Sequence, residues 1–252
     1  MVSVIITGHL GFIGRNVFRH MMNEGYHCYG VDVKSGKDIR TCSLPSCDFI
    51  IHLAGLAGVR KSRENPEEYW SVNVDGSKRI FDHGLKWNAP VFYASSSSAK
   101  QWPTSPYATT KRAMEAIAPE GSVGMRFHTV YGIDSRPDMM YRMLLDNTAT
   151  YKTHHTRDFT HVSDVVSAID VIVKNYKDIE SRVVDIGSSN PVAVSDLVEA
   201  AGRDLPFKEV ESEQEYSLAD ISLMKSLGWE PKHNVLDDMR RDIHGQRPVW
   251  ME

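Results

Sequence analysis

The sequence contains little cysteine and no long apolar run. Its cysteines, Cys28, Cys42 and Cys47, are odd in number and form no Cys-x-x-Cys pair. We therefore expect reduced thiols, with neither a disulfide framework nor a metal site. No apolar stretch approaches the roughly 18 residues that a membrane-spanning helix needs. The N-terminal segment MVSVIITG has no basic region, which argues against a signal peptide and predicts a cytoplasmic protein.

The chain also lacks a large net charge of either sign. The 252 residues carry 29 basic and 33 acidic side chains, a net charge of −4, and no long basic stretch. Nucleic acid and membrane surfaces are therefore not expected partners. Hydrophobic residues make up 41% of the chain and charged residues 25%, as in globular proteins. The length suits one core domain with a small additional lobe.

What the sequence does contain is an alternation of strands and helices. Short apolar runs indicate buried strands, and apolar residues spaced by three and four indicate helices. Strands are predicted over 2–7, 26–33, 48–54, 90–96, 123–127 and 182–186. Helices are predicted over 12–23, 67–86, 107–117, 163–173 and 194–201. This order predicts an α/β fold, a Rossmann-type doubly wound parallel sheet with a small C-terminal lobe.

A glycine-rich turn joins the first strand to the first helix. The segment TGHLGFIG places Gly8, Gly11 and Gly14 where the backbone can turn tightly and approach a pyrophosphate. The helix that follows offers unpaired N–H groups and the positive end of its dipole. A glycine-rich turn without a ligand is the alternative, and the flanking strand and helix disfavour it.

Asp32 ends the second predicted strand, at the usual distance from the glycine turn. A carboxylate there accepts hydrogen bonds from the adenosine ribose hydroxyls. Its negative charge repels a 2′-phosphate, so NAD is favoured over NADP, although Lys34 and Lys37 nearby weaken the preference. The alternative for Asp32 alone is an ordinary turn aspartate.

A serine run and a Tyr-x-x-x-Lys pair supply candidate catalytic groups. The run 95–98 ends a predicted strand, and Tyr107 and Lys111 then lie on one face of the next helix. Such a pair alone is often an amphipathic surface feature. In a doubly wound sheet, however, ligands bind where the strands end at their carboxyl side, which is where these residues fall.

The chemistry of the pair is reasonable in magnitude. A tyrosine acts as a base at pH 7 only if its pKa falls from about 10 to about 7, roughly 4 kcal/mol. A lysine ammonium about 5 Å away supplies on the order of 3 kcal/mol at an effective dielectric constant near 20. The positive nicotinamide ring of oxidised NAD supplies the remainder, and a serine hydroxyl holds the reacting oxygen.

These residues together resemble the extended short-chain dehydrogenase/reductases, the NAD-dependent sugar-nucleotide epimerases and dehydratases. The segments LAGVRKSRENPEEYWSVNVDG, RFHTVYGIDSRPDM, RDFTHVSDV, DIGSSNPVAVSDL and ADISLMKSLGWEPK are most similar to UDP-glucuronate 4-epimerases. The resemblance spans nearly the whole chain. It implies NAD as the cofactor, a nucleotide-sugar substrate and a homodimer.

The resemblance also implies roles for single residues. Ser96 would hold the reacting oxygen, Tyr107 would be the base, and Lys111 would lower its pKa. The implied cofactor site comprises Gly8, Gly11, Phe12, Ile13, Gly14, Asp32, Asp38, Ile39, Leu53, Ala54, Asn73, Tyr107 and Lys111. The implied substrate contacts are Ser97, Thr129, Arg136 and Arg157.

The implied reaction is C4 epimerisation. Tyr107 would take the proton of the sugar 4-hydroxyl while hydride passes to NAD, the 4-keto sugar would turn over, and hydride would return to the other face. Ser97 and Ser98 stand where dehydratases place acids beside the catalytic hydroxyl, so dehydration is disfavoured. Two alternatives remain: a sugar-nucleotide 4-reductase or other extended short-chain oxidoreductase that consumes NAD(P)H, and a catalytically silent NAD-binding regulatory protein.

The chain is shorter than is usual for this family. After Asp32 it runs almost directly into the third strand, so the usual intervening strand and helix are expected to be a loop. We predict that residues 1–128, with 158–187 returning to them, form the NAD-binding core. Residues 129–157 and 188–252 are predicted to form the substrate-binding lobe.

Overall fold

The computed structural model describes residues 1–210 and 214–245, in two compact units. The first comprises Met1–Phe127 and Val166–Asp185, and the second His128–Val165 and Ile186–Glu252. The segment that returns to the first unit is shorter than the expected 158–187, because residues 156–161 form a strand of the second unit's own sheet. The functional names given to the two units remain predictions.

Nine strands and ten α-helices make up the described part of the chain. The strands are β1 (Ser3–Thr7), β2 (His27–Val31), β3 (Phe49–His52), β4 (Val91–Ser96), β5 (Val123–Phe127), β6 (Thr129–Tyr131), β7 (Thr156–His161), β8 (Val183–Ile186) and β9 (Pro191–Ala193). The helices are α1 (Phe12–Asn23), α2 (Val59–Glu64), α3 (Pro66–Trp70), α4 (Gly76–Trp87), α5 (Pro106–Ile117), α6 (Met140–Leu145), α7 (Val162–Asn175), α8 (Val194–Ala200), α9 (Ser222–Ser226) and α10 (Val235–Ile243).

The larger sheet has six strands in the order β2-β1-β3-β4-β5-β8. The pairings from β2 across to β5 are parallel. The chain leaves β1 toward one side to form β2 and later returns to the other side to form β3. This change of direction at β1 is the switch point at which doubly wound sheets bind ligands, so the predicted Rossmann-type fold is confirmed.

The connection between β2 and β3 is the shortened part of the fold. It begins with one short 3₁₀ turn, Val33–Ser35, and residues 36–48 form no helix or strand. Strand β2 is therefore an edge strand. The predicted loss of the intervening strand and helix is confirmed.

The predicted helix over 67–86 is not a single α-helix. It is divided into α3 and α4 by a five-residue π turn, Ser71–Asp75. A π turn inserts one residue into the helical ladder and changes which side chains face inward, and such turns are frequent at functional sites. The turn contains Asn73, whose contacts are described below.

The second unit contains a small sheet of order β6-β7-β9. Strands β6 and β7 pair in parallel, whereas β7 and β9 are antiparallel. Its core is formed by side chains from the strands and from α6, α8 and α10, among them Tyr131, Tyr141, Leu197 and Met239. Within the described residues, every helix is too short or too polar to cross a membrane.

Candidate active site

The glycine turn is closed by backbone packing. Gly8 has a φ of +72°, and a Cβ added there would lie 2.6 Å from the Ala54 backbone nitrogen. A Cβ on Gly14 would lie 1.9 Å from the Gly8 carbonyl oxygen. The Gly11 N–H donates to that same carbonyl at 2.9 Å. Larger residues at Gly8 and Gly14 are therefore excluded by the turn itself, before any ligand is considered.

Helix α1 begins directly at this turn. Gly11 is its N-cap, and among the described residues no side chain caps it and none in its first turn is acidic. Phe12 and Ile13, the first two helical residues, are half-buried. The first N–H groups and the positive dipole end are thus directed at the turn, which is how a dinucleotide pyrophosphate is held. These residues fit the NAD cradle that the sequence predicts.

Asp32 follows β2 and is buried beside the glycine turn. One carboxylate oxygen accepts from the Leu10 N–H at 3.0 Å, and the other accepts from the Lys34 N–H at 2.9 Å. The carboxylate therefore connects the edge strand to the glycine turn. Each oxygen still has a second lone pair, so acceptance of a ribose hydroxyl is compatible with this arrangement.

Asp38 and Ile39, expected beside the adenine, have different environments. The Asp38 carboxylate is paired with Arg40 at 2.6 Å, and these hydrogen bonds lower its pKa. Ile39 is buried in the core of the first unit, where its side chain leaves no space for a Cβ on Gly76. Ile39 thus holds the shortened loop against the start of α4.

The predicted catalytic residues come together in the first unit. Ser96 ends β4 and is buried, and its Oγ accepts from the Ser98 N–H at 3.2 Å. Tyr107 lies in the first turn of α5 and is half-buried, with its ring 6.3 Å from that of Tyr69. The Lys111 ammonium lies 5.9 Å from the centre of the Tyr107 ring and donates to the Ala94 carbonyl at 2.7 Å.

Lys111 is the buried charge of this site. Burial lowers its pKa to about 8, while the nearby Glu115 carboxylate acts in the opposite direction. The side chain is therefore mainly an ammonium at pH 7, as its predicted role requires. An ammonium within about 6 Å of a phenolate oxygen would stabilise it by roughly 3 kcal/mol at an effective dielectric constant near 20.

Asn73 connects the end of β3 to the catalytic helix. Its Oδ1 accepts from the Leu56 N–H at 2.7 Å, and its Nδ2 donates to the Leu56 carbonyl and to Thr110 Oγ1. The predicted cofactor residues Leu53 and Ala54 precede this loop and pack against Gly8. All three amide positions of Asn73 have protein partners, so in this structure it orders the loop after β3.

The buried His52 was missed by sequence reasoning. Its Nδ1 lies 2.6 Å from Thr7 Oγ1, and its Nε2 lies 2.8 Å from Ser77 Oγ, which donates to the Asn73 carbonyl. Burial, and then the charge of Lys111, lower the His52 pKa to about 3, so this ring is neutral. The hydrogen bonds of His52 thus link β1, β3 and α4, next to the predicted cofactor residues Leu53 and Ala54. A histidine in the otherwise apolar segment FIIHLA was the available signal.

The predicted substrate residues divide between the two units. Ser97 follows Ser96 in the first unit and is half-buried. Thr129 begins β6 and Arg157 lies on β7, both in the second unit. The Arg136 guanidinium, also in the second unit, donates to Asp138 at 3.0 Å. The structure thus places Ser97 next to Ser96. It places Thr129 and Arg157 on strands of the smaller sheet and Arg136 on the loop after β6.

The fold and the site together define a class of protein. A glycine turn at the switch point, an acidic residue after β2 and a Ser-Tyr-Lys group at the end of β4 are the parts of a dinucleotide-dependent oxidoreductase-type enzyme. The chain belongs to the NAD dependent epimerase/dehydratase family, whose sequence model matches residues 4–187. The resemblance drawn from the sequence is thereby confirmed.

Individual relatives agree with this membership. The chain is 27% identical to UDP-glucuronate 4-epimerase 4 of Arabidopsis thaliana, over 96% of this chain and 74% of the relative. It is 25% identical to the UDP-glucuronate 4-epimerase of Thermodesulfobacterium geofontis, over 95% and 94%. That alignment runs over 312 positions although this chain has 252 residues, so the relative carries segments that this chain lacks.

A solved structure extends the likeness to the fold. MoeE5, in complex with UDP-glucuronic acid and NAD, is 26% identical and superimposes with a TM-score of 0.84, over 96% of this chain and 98% of that chain. The likeness covers both units, so the shortened chain retains the architecture of the family.

Proposed function

We propose that this chain is an NAD-dependent UDP-sugar 4-epimerase that acts on a UDP-hexuronate or UDP-hexose through a 4-keto intermediate. The observation that carries the proposal is the buried Lys111 ammonium, which lies 5.9 Å from the centre of the Tyr107 ring and donates to the carbonyl of Ala94, two residues before Ser96 on β4. Relatives named UDP-glucuronate 4-epimerases support UDP-glucuronate as the first substrate to test.

The residues of the chain divide the chemistry between them. NAD, when bound, accepts hydride from the sugar and returns it. The Tyr107 phenolate takes the proton of the sugar 4-hydroxyl, and the Lys111 ammonium stabilises that phenolate. The Ser96 hydroxyl donates to the reacting oxygen and keeps it aligned with the phenol. On return, Tyr107 gives the proton back, so the protein ends the cycle unchanged.

Cofactor contacts in this proposal follow the glycine turn. The N–H groups at the start of α1 hold the pyrophosphate, and Asp32 accepts from the adenosine ribose. Asp38 and Ile39 flank the adenine, and Leu53, Ala54 and Asn73 form the edge of the site after β3. Lys111 also holds the nicotinamide ribose.

Substrate contacts are proposed for four residues. Ser97 contacts the sugar next to Ser96, and Thr129, at the start of β6, contacts the substrate. Arg157 binds the diphosphate, to which its guanidinium offers paired donors. Arg136 contacts the substrate after exchanging its present bond to Asp138.

Ser97 and Ser98 support epimerisation over dehydration. Dehydration needs an acid that protonates the departing hydroxyl, and the positions after Ser96 carry hydroxyl groups with no acidity near neutral pH. The Ser98 N–H donates to Ser96 Oγ, so the backbone here orients the catalytic hydroxyl. The proposed reaction therefore leaves the hydroxyl groups of the sugar in place.

The direct test is product analysis. Purified protein is incubated with UDP-glucuronate and NAD, and the nucleotide sugars are separated by chromatography. UDP-galacturonate without net NADH formation is the expected result. Stoichiometric NADH oxidation with a keto sugar would identify a reductase instead. NAD binding without turnover on UDP-, GDP- and dTDP-sugars would identify a silent regulatory protein.

Replacement of the proposed base tests the mechanism. Tyr107→Phe removes the phenol oxygen and keeps the ring, so we expect turnover to fall by at least about a thousandfold while NAD affinity is retained. Tyr26→Phe is the matched control, because Tyr26 precedes β2 at the opposite end of the strands. Wild-type turnover in Tyr107→Phe would remove the proposed base.

We also propose that the enzyme is a cytoplasmic homodimer. Large apolar side chains remain exposed on the two long helices beside the site. These are Leu85 and Trp87 on α4 and Ile117 on α5. Pairing these helices across a two-fold axis would cover them. The three free thiols agree with a reducing compartment. Analytical ultracentrifugation that finds a monomer at micromolar concentration would contradict the dimer.

A further inference from the structure

One buried carboxylate stands directly behind the catalytic group. Glu115 lies one helical turn after Lys111 on α5, so their side chains share one face of the helix. It is buried, and its oxygens accept from Ser95 Oγ at 2.6 Å and from the Arg126 guanidinium at 2.7 Å on each side. Arg112 donates to it at 3.1 Å.

The contacts of Glu115 reach the strand that carries Ser96. Three consecutive residues of β4 have three roles: the Ala94 carbonyl accepts from Lys111, the Ser95 hydroxyl donates to Glu115, and Ser96 is the proposed catalytic hydroxyl. Both hydrogen bonds join β4 to α5. Together they determine how far along the strand the helix sits, and therefore where Tyr107 lies relative to Ser96.

We propose that Glu115 is a positioning residue of the reaction, which fixes β4 against α5 through Ser95 and maintains the charge of Lys111. The inference rests on the proposed function for its kinetic consequence only. The geometric and electrostatic parts concern groups within the first unit and do not require turnover.

Electrostatics support the second part of this role. Burial lowers the pKa of Lys111, and Glu115 is the charged neighbour that raises it. Burial acts to raise the pKa of Glu115, but hydrogen bonds from Arg126 and Ser95 outweigh it and hold this pKa below its ordinary value, which favours the charged carboxylate. Loss of that charge would leave Lys111 easier to deprotonate.

Charged and titratable groups face this pair from α5 itself and from neighbouring strands of the sheet. Lys111 is faced by Tyr107 and Glu115 on its own helix and by the neutral His52 on β3. Glu115 is faced by Arg112 on α5, Arg126 on β5 and the Tyr93 hydroxyl on β4. Asp185 on β8 acts on Arg126 from further away and is itself paired with Lys100.

Two variants separate the two parts of the proposal. Ser95→Ala removes the tie to β4 and keeps every charge, so we expect kcat to fall by about tenfold with an unchanged alkaline limb of the pH profile. Glu115→Gln removes the charge, so we expect a fall in kcat of at least about tenfold and an alkaline limb displaced to lower pH. The Kd for NAD is expected to stay within about threefold of wild type in both. Glu120→Gln, an exposed carboxylate just after α5, is the matched control and should change neither quantity.

A measurement without turnover keeps the inference separate from the proposed function. With ¹³C-labelled lysine, NMR titration of the Lys111 side chain, assigned through Lys111→Arg, reports its pKa directly. We expect a lower pKa in Glu115→Gln than in wild type, even if no UDP-sugar is turned over. If the single variant does not fold, the double variant Glu115→Gln, Arg126→Gln removes both charges of the ion pair. The Lys111 pKa is again expected to be lower than in wild type. An unchanged Lys111 pKa, or a wild-type kcat in Ser95→Ala, would overturn the proposal.

Discussion

A methyl group on Gly14 would lie 1.9 Å from the carbonyl oxygen of Gly8, whereas one on Gly11 would lie 3.1 Å from the same oxygen. The two glycines look equivalent in the sequence and differ in the folded chain. Gly14 is required by backbone packing, because α1 passes directly over the turn. A Cβ on Gly11 would make a tight contact that a backbone shift of a few tenths of an ångström would relieve, and the importance of Gly11 lies mainly in how closely a pyrophosphate approaches.

This difference predicts different outcomes for two matched variants. Gly14→Ala should lower the free energy of unfolding by at least about 2 kcal/mol, because neither backbone segment can move away without opening the turn. Gly11→Ala should cost less than about 1 kcal/mol of stability and act mainly on NAD affinity. Urea denaturation and calorimetric NAD titration measure the two effects. Equal losses of stability in both variants would contradict this account of the turn.

Asp32 likewise has a structural role besides the expected ribose contact. It accepts from the backbone of both Leu10 and Lys34. Asp32→Asn keeps the shape of the side chain but replaces one acceptor oxygen with an amide NH2 group. That donor would face a backbone N–H group of Leu10 or Lys34. We expect NAD affinity to fall by roughly tenfold and the preference for NAD over NADP to narrow, since the repulsive charge is gone. Asp82→Asn, on the exposed side of α4, should leave both affinities unchanged.

Among the helices, the π turn between α3 and α4 determines where Asn73 meets the loop that follows β3. The segment Ser71–Asp75 turns Asn73 inward, where its amide meets the loop after β3 and Thr110 of α5. Periodicity indicates the helix over this segment but does not reveal the extra residue, because the apolar spacing on either side remains helical. The hydrogen bonds of Asn73 therefore depend on a feature that the pattern does not contain.

Ser77 shows how much α4 contributes to this region. Its hydroxyl lies 2.8 Å from His52 Nε2 and donates to the Asn73 carbonyl. Ser77→Ala leaves a buried imidazole nitrogen without its partner, so we expect a loss of about 1–3 kcal/mol in the free energy of unfolding. Ser226→Ala, exposed on α9, is the control and should cost less than about 0.5 kcal/mol. A control-sized loss in Ser77→Ala would show that this hydrogen bond contributes little.

At the scale of the whole molecule, buried histidines determine the response to acid. Burial lowers the pKa of His52 to about 3, and burial together with the neighbouring His233 lowers that of His161 to about 4. In the unfolded chain both rings titrate near 6.5. As pH falls below 6.5, the unfolded chain therefore binds protons that the folded chain does not, and stability falls. His233, whose pKa is raised mainly by its hydrogen bond to Asp238, acts in the opposite direction.

We therefore expect the free energy of unfolding to decrease between pH 6.5 and pH 5. His161→Asn should make this dependence shallower by up to about 1.4 kcal/mol per pH unit, the contribution of one proton. His27→Asn, at an exposed position, is the control and should leave the slope unchanged. Urea denaturation at a series of pH values measures these slopes, and a His161→Asn slope equal to wild type would rule out this origin.

The agreement between sequence and structure is uneven, for physical reasons. The six strands of the larger sheet, the glycine turn, α1 and α5 were predicted to within about two residues, because each has a local pattern of apolar spacing and turn residues. The three strands of the smaller sheet were not predicted. The division of the helix over 67–86 and the packing of Ile39 against Gly76 were not predicted either, since both depend on which side chains meet across the fold. Glu115 had only a weak signal, its spacing of four from Lys111, whereas its partners Ser95 and Arg126 lie on other elements.

Local sequence is enough to predict the class of fold, the glycine turn and the candidate Ser-Tyr-Lys group, because these depend on backbone conformation and short-range spacing. The buried polar groups that hold them in place emerge only in the folded chain: Asp32 against the glycine turn, His52 next to Leu53 and Ala54, and Glu115 behind Lys111. Such groups are buried only when partners from distant segments satisfy their hydrogen bonds. Those partners become neighbours only after the chain has folded.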